Sequence, residues 1–127
     1  MNRADFAPGG TNPHYPLHSH PRATEAGVVI KGKLLVGFIS TTGVFYSKVL
    51  KAGEMFVIPK GLVHFQKNVG QGKAAIITSF NSQLPGAAQL LATLFASNPA
   101  IRDDIFAKNF QVDETVITSI KSKFGSP

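Results

Sequence analysis

The chain has no cysteine among its 127 residues, so it forms no disulfide and offers no thiolate nucleophile. It has no apolar run near the ~18 residues needed to cross a bilayer, so no membrane span is expected. It has no Asn-x-Ser/Thr sequon, because Asn81-Ser82-Gln83 carries the wrong third residue. Polar residues follow Met1 at once, so no signal peptide is read in these residues. Acidic residues are few: 7 Asp and Glu stand against 13 Lys and Arg, a net charge of +6. A basic balance can mean nucleic acid, anionic polysaccharide or a small acidic substrate. No run of five basic residues occurs, and the cations are scattered from Arg3 and Arg22 to Lys121 and Lys123. That pattern reads as a solvated surface, and no nucleic-acid partner is expected.

What is present is an apolar fraction of 43%, enough for the core of one domain. The first 25 residues contain Pro8, Gly9, Gly10, Pro13, Pro16 and Pro21, which exclude a long helix there. AGVVIKGKLLVGFIS and VFYSKVLKAGEMFVIP follow, rich in β-branched and aromatic residues and broken by Gly32, Gly37, Gly43 and Gly53. Short strands with a turn every eight to twelve residues predict an antiparallel sandwich or barrel. LVHFQKNV and KAAIITSFN meet at Gly70-Gln71-Gly72, which reads as a hairpin. Beyond Pro85 the texture changes. GAAQLLATLFAS suits a helix or a buried strand. Asn98-Pro99 reads as a cap and first helical residue, opening a helix over about 100–109. Asp113 caps a second helix with Val116, Ile117, Ile120 and Phe124 on one face, and Gly125 stops it.

Two clusters carry chemistry. The first is His18-Ser19-His20 with Glu25 behind a Pro21-Arg22 bend. Side chains alternate faces along a strand, so His18 and His20 point the same way. The second is GEMFVIPKGLVHFQKN, where Pro59-Lys60-Gly61 makes a tight turn. The following strand puts His64, Gln66 and Asn68 on one face and Val63 and Phe65 on the other. Read singly, each histidine can be a satisfied core residue and Glu25 a surface charge. Taken together, three imidazoles and a carboxylate suit a divalent transition metal. Ligand type alone leaves zinc, iron, nickel and manganese open.

With these two motifs the sequence resembles the cupin superfamily, and more narrowly the plant germins and germin-like proteins. HSHPRATEAGVVIKG carries the first cupin motif and GEMFVIPKGLVHFQKN the second; DFAPGGTNP, LFASNPAI and KSKF add germin-type detail. The resemblance implies a mainly β fold, a cupin (jelly-roll) β-barrel with C-terminal α-helices. The barrel would occupy 1–97, lacking its N-terminal part, and a helical clasp 98–125. Germins begin upstream with a secretion signal, a pair of cysteines and the first strands, so a fragment or a truncated relative is expected.

The resemblance also implies Mn2+ held by His18, His20, Glu25 and His64. It implies a trimer or trimer of dimers in the apoplast, and a small anionic substrate, superoxide or oxalate. Its activity would be that of a superoxide dismutase-like or oxalate oxidase-like defence protein that produces hydrogen peroxide. The alternative is a non-enzymatic cell-wall or auxin-binding-like ligand-binding cupin. By the same resemblance Asn2 and Asn12 are substrate contacts, beside the plainer readings of a strand cap and a turn. Three residues are inserted between Pro13 and His18 relative to the germin pattern. The insertion lengthens the mouth loop and brings in His14 as an extra imidazole.

Overall fold

The computed structural model describes residues 1–11 and 16–125. Cα packing divides the chain into two units, Met1–Gln89 and Leu90–Pro127. The first unit holds β1 (Asn2–Phe6), β2 (His18–Ser19), β3 (Glu25–Lys31), β4 (Lys33–Ile39), β5 (Phe45–Lys51), β6 (Met55–Ile58), β7 (Val63–Asn68), β8 (Ala74–Phe80) and β9 (Ala88–Gln89). Among the described residues they form two antiparallel sheets, in the orders β1-β8-β3-β6 and β5-β4-β7-β2-β9. Strands β1 to β8 thus supply four to each sheet, the arrangement of a jelly roll.

Alternation along the strands sends one set of side chains between the sheets. Phe6, Val29, Leu34, Val36, Leu50, Phe56, Ile58, Ala74 and Ile76 are buried there as one core. The same parity buries polar residues: Glu25 lies in phase with Val29 on β3, and His64, Gln66 and Asn68 occupy alternate positions of β7. Gly32 makes the corner where β3 in one sheet becomes β4 in the other. Its φ is +78°, and a Cβ there would lie 2.8 Å from Ala74 Cβ and from the Lys73 carbonyl oxygen.

The hairpin expected at Gly70-Gln71-Gly72 is not formed. β7 pairs with β4 and β2, whereas β8 pairs with β1 and β3, so these residues carry the chain from one sheet to the other. Asn68 holds this crossing. Its buried amide donates to the carbonyls of Ala7 at 3.0 Å and Gly72 at 2.8 Å, and its oxygen accepts from Gly70 N–H at 2.9 Å. A side chain therefore makes the bonds that a hairpin ladder would have made.

The second unit contains α1 (Leu90–Phe95), α2 (Asp103–Phe110), α3 (Glu114–Lys121) and a 3₁₀ turn (Ser122–Phe124). GAAQLLATLFAS proves to be both of its alternatives: Ala88–Gln89 is strand and Leu90–Phe95 is helix. The helix expected from about residue 100 begins at Asp103. Ser97 Oγ donates to the Pro99 carbonyl, which ties the Asn98-Pro99 turn to the preceding loop. The N-cap is Arg102 in extended backbone, and Asp103 and Asp104 complement the positive end of α2. Asp113 caps α3 as its sequence suggests, accepting from Thr115 N–H at 2.9 Å. Phe95, Phe106 and Ile117 form the buried core of this unit, with Ile120 packed against it. Val116, placed on that face by the sequence pattern, is exposed. Among the described residues no helix is long and apolar enough to cross a membrane.

Candidate metal centre

Four residues distant in sequence meet inside the first unit. His18 on β2 stands directly opposite His64 on β7 in the strand register. Glu25 opens β3 opposite Phe80 of β8. His20 follows β2, and its backbone carbonyl accepts from Gly61 N–H at 3.0 Å, so the Pro59-Lys60-Gly61 turn fixes its start point. One donor atom from each of His18, His20, Glu25 and His64 lies within 4.8 Å of the others. That span is about twice a metal–donor bond of ~2.0–2.2 Å, the distance across a shared ion.

Burial is near complete at three of the four: His18 is 5%, Glu25 4% and His64 1% exposed, with His20 only partly open. The imidazoles surround the carboxylate. His64 Nε2 lies 2.9 Å and His20 Nε2 3.4 Å from Glu25 Oε2. The ring centroids of His18 and His64 are 4.2 Å apart, and those of His18 and His20 are 5.0 Å apart.

Two rings have their tautomer fixed from behind. His64 Nδ1 lies 2.8 Å from the Leu62 carbonyl and His20 Nδ1 2.6 Å from the Gly86 carbonyl. A carbonyl only accepts, so each Nδ1 carries the hydrogen and each Nε2 lone pair faces the cluster. This orientation, with a carboxylate among the rings, is the donor arrangement a divalent transition metal needs, and the residues fit such an ion. Burial alone would push the Glu25 carboxyl up. Without an ion, a protonated imidazolium donates through Nε2–H instead, and such hydrogen bonds from His20 and His64, with their positive charges, outweigh burial and bring the Glu25 pKa down to about 2. Burial likewise opposes the charged form of His20, but the Glu25 carboxylate and the Gly86 carbonyl raise its pKa above the ordinary value. The carboxylate is therefore ionised across the physiological range.

Asn2 is not among the four residues brought together; it is exposed at the start of β1, opposite Thr78. Asn12 and His14 lie outside the described residues. Sequence reasoning missed the backbone oxygens of Leu62 and Gly86, because a carbonyl has no residue signature. It also missed Phe80, whose ring packs edgewise on His20 with centroids 4.7 Å apart. Phe80 carries no motif of its own; only the pairing of β8 with β3, which no short stretch of sequence reveals, sets it beside Glu25.

The sequence profile described as Cupin matches residues 1–118. Germin-like protein subfamily T member 2 of Arabidopsis thaliana is 60% identical over 124 residues, covering 98% of this chain and 55% of the relative. Germin-like protein 3-8 of Oryza sativa subsp. japonica is 56% identical over 124 residues, covering 98% and 54%. The chain thus spans about half the length of these curated relatives. Among solved structures, an oxalate oxidase in complex with the substrate analogue glycolate superposes with a TM-score of 0.92. Its sequence identity is 51%, over 98% of this chain and 62% of that one.

Proposed function

Starting from a chain that belongs to the cupin family and stands with the germin-like proteins within it, we propose a manganese-binding oxidoreductase of the plant apoplast. Its ligands are His18, His20, Glu25 and His64, and its activity is superoxide dismutase-like or oxalate oxidase-like, yielding hydrogen peroxide. The observation that carries this reading is the convergence of three imidazoles on one buried carboxylate, with two of the rings pinned through Nδ1. Manganese, the ion that the resemblance implies, supplies cycling between divalent and trivalent states when bound.

The chain's own residues define what such a site can do. Glu25 contributes one negative charge, held ionised by its two imidazole neighbours. Three neutral nitrogens and one anion leave a divalent ion with a net positive charge, which draws an anionic substrate. The chain's overall charge of +6 favours the approach of superoxide or oxalate in the same sense. His18, Glu25 and His64 are buried, and the partly open side is that of His20, against which Phe80 packs edgewise. His18, His20, Glu25 and His64 would hold the ion, which would then be able to take a small anionic substrate as well. Asn2 and Asn12 are the proposed amide donors that orient it. Assembly as a trimer or trimer of dimers, and a role in defence or stress, complete the reading that the family resemblance supports.

The test is to load the purified chain with manganese, measure occupancy, and assay superoxide consumption and peroxide release from oxalate. His64→Ala is expected to lower metal retention and turnover together. Turnover that survives in this variant removes the assignment of the ligands. Silence of the fully loaded wild-type chain in both assays turns the reading to a ligand-binding cupin without catalysis.

A further inference from the structure

The segment before β9 receives an unusual concentration of donors. Three consecutive carbonyls, those of Leu84, Pro85 and Gly86, accept from His20 and Arg22. Arg22 Nε donates to Leu84 O at 2.8 Å, Arg22 N–H donates to Pro85 O at 3.1 Å, and His20 Nδ1 donates to Gly86 O at 2.6 Å. The guanidinium also fills the space beside Gly86. A Cβ at that position would lie 2.7 Å from one guanidinium nitrogen and 3.0 Å from its central carbon, and the φ of +69° already disfavours a side chain. Gly86 is thus the residue that lets the chain turn its carbonyl toward His20 while Arg22 packs against its α-carbon.

A carbonyl can orient a ring only as well as it is itself held. The backbone of His20 is anchored separately, through its own carbonyl to Gly61 N–H. Rotation of the His20 ring about its side-chain bonds is therefore governed by where Gly86 O sits, and Arg22 holds that oxygen through the two preceding peptide units. We propose that Arg22 and Gly86 are positioning residues of the metal centre. They fix the ring plane and tautomer of His20 and so set the affinity for the ion. The proposal rests on the metal-binding reading above. Neither residue is itself a ligand, and partners that orient ligating imidazoles typically change metal affinity about 10- to 100-fold when lost.

The experiment is a manganese titration followed by the electron paramagnetic resonance of the free ion. It compares the wild-type chain with Arg22→Ala, Arg22→Lys, Gly86→Ala and a control, Asn81→Ala. Asn81 ties the same connecting segment to Thr24, through Thr24 N–H to Asn81 Oδ1 at 2.9 Å, without touching His20. The thermal midpoint of each metal-free variant is measured alongside. Arg22→Ala and Gly86→Ala are expected to raise the dissociation constant about 10- to 100-fold and to broaden the spectrum of the bound ion. Arg22→Lys, which keeps the charge and one donor, recovers part of the loss. Asn81→Ala lowers the thermal midpoint and leaves the affinity within about twofold. Should Arg22→Ala fail to fold, Arg22→Lys and Gly86→Ala decide by the same measure. Variants that bind as tightly as wild type, or a control weakened as much as they are, overturn the positioning role. A wild-type chain that takes up no manganese overturns the metal reading itself, so the two failures are told apart.

Discussion

Glu25 is buried between two imidazoles, and this gives the metal-free protein a particular response to pH. Its carboxyl has an ordinary value of 4.5 and a folded value of about 2. The stability it contributes is complete above pH 4.5 and drains as pH falls from there toward 2. The full effect is about 3 kcal/mol, since each tenfold change in proton affinity is worth roughly 1.4 kcal/mol. His20 works in the other direction. Its pKa is raised above 6.5, so its contribution is complete below 6.5 and is lost as pH rises through the folded value. Urea midpoints of the metal-free protein at pH 3, 5.5 and 8 are expected to be highest at 5.5, and Glu25→Gln should flatten both limbs. Equal midpoints at the three pH values in the wild-type chain would contradict this account. The four residues of this cluster were visible in the sequence, because strand parity and the two short motifs bring them forward. Their oxygen partners were not: Gly86 lies 66 positions from His20, and its peptide oxygen resembles every other.

At the scale of elements, Asn68 shows where reading a sequence locally falls short. Gly70-Gln71-Gly72 is a sound turn signal, and the chain does bend there. A turn signal does not say which sheet the next strand will join, since that depends on partners sixty residues away. Here β8 finds β1 and β3, and the amide of Asn68 bridges the crossing. Asn68→Ala removes a buried donor and acceptor that serve Ala7, Gly70 and Gly72. At about 1 kcal/mol per bond and more for any group left unpaired, it is expected to cost roughly 2–4 kcal/mol in denaturant titration. A cost under about 0.5 kcal/mol would show that water replaces the amide freely. The helices tell the same story in smaller measure. The cap at Asp113 was legible because its side chain bonds two residues away. The start of α2 was not, because its N-cap, Arg102, is set by extended backbone with no side-chain cap bond to mark it.

For the whole molecule, the proposed metal site would link ion binding to folding, because its four residues come together only in the folded chain. An ion that binds the assembled site and not the open chain stabilises the native state as its concentration rises. The gain is about 2.7 kcal/mol at a hundredfold excess over the dissociation constant. Manganese is therefore expected to raise the thermal midpoint by several degrees in wild type, with chelator reversing the shift, and to leave His64→Ala unmoved. An equal shift in that variant would place the ion elsewhere. The fold class was readable as a whole: strands with frequent turns, then helices, gave a β sandwich followed by a small helical unit. Which strands pair was decided by burial across the two sheets, and no short window of sequence holds that information.

One rung of the ladder has a wider consequence. His18 and His64 face each other across a single antiparallel step between β2 and β7. A slip of one residue in either strand would throw one imidazole to the outer surface. On the proposed reading, uptake of the ion would work as a proofreader: misaligned chains would stay empty and gain nothing from it, while correctly zipped ones would be trapped by mass action.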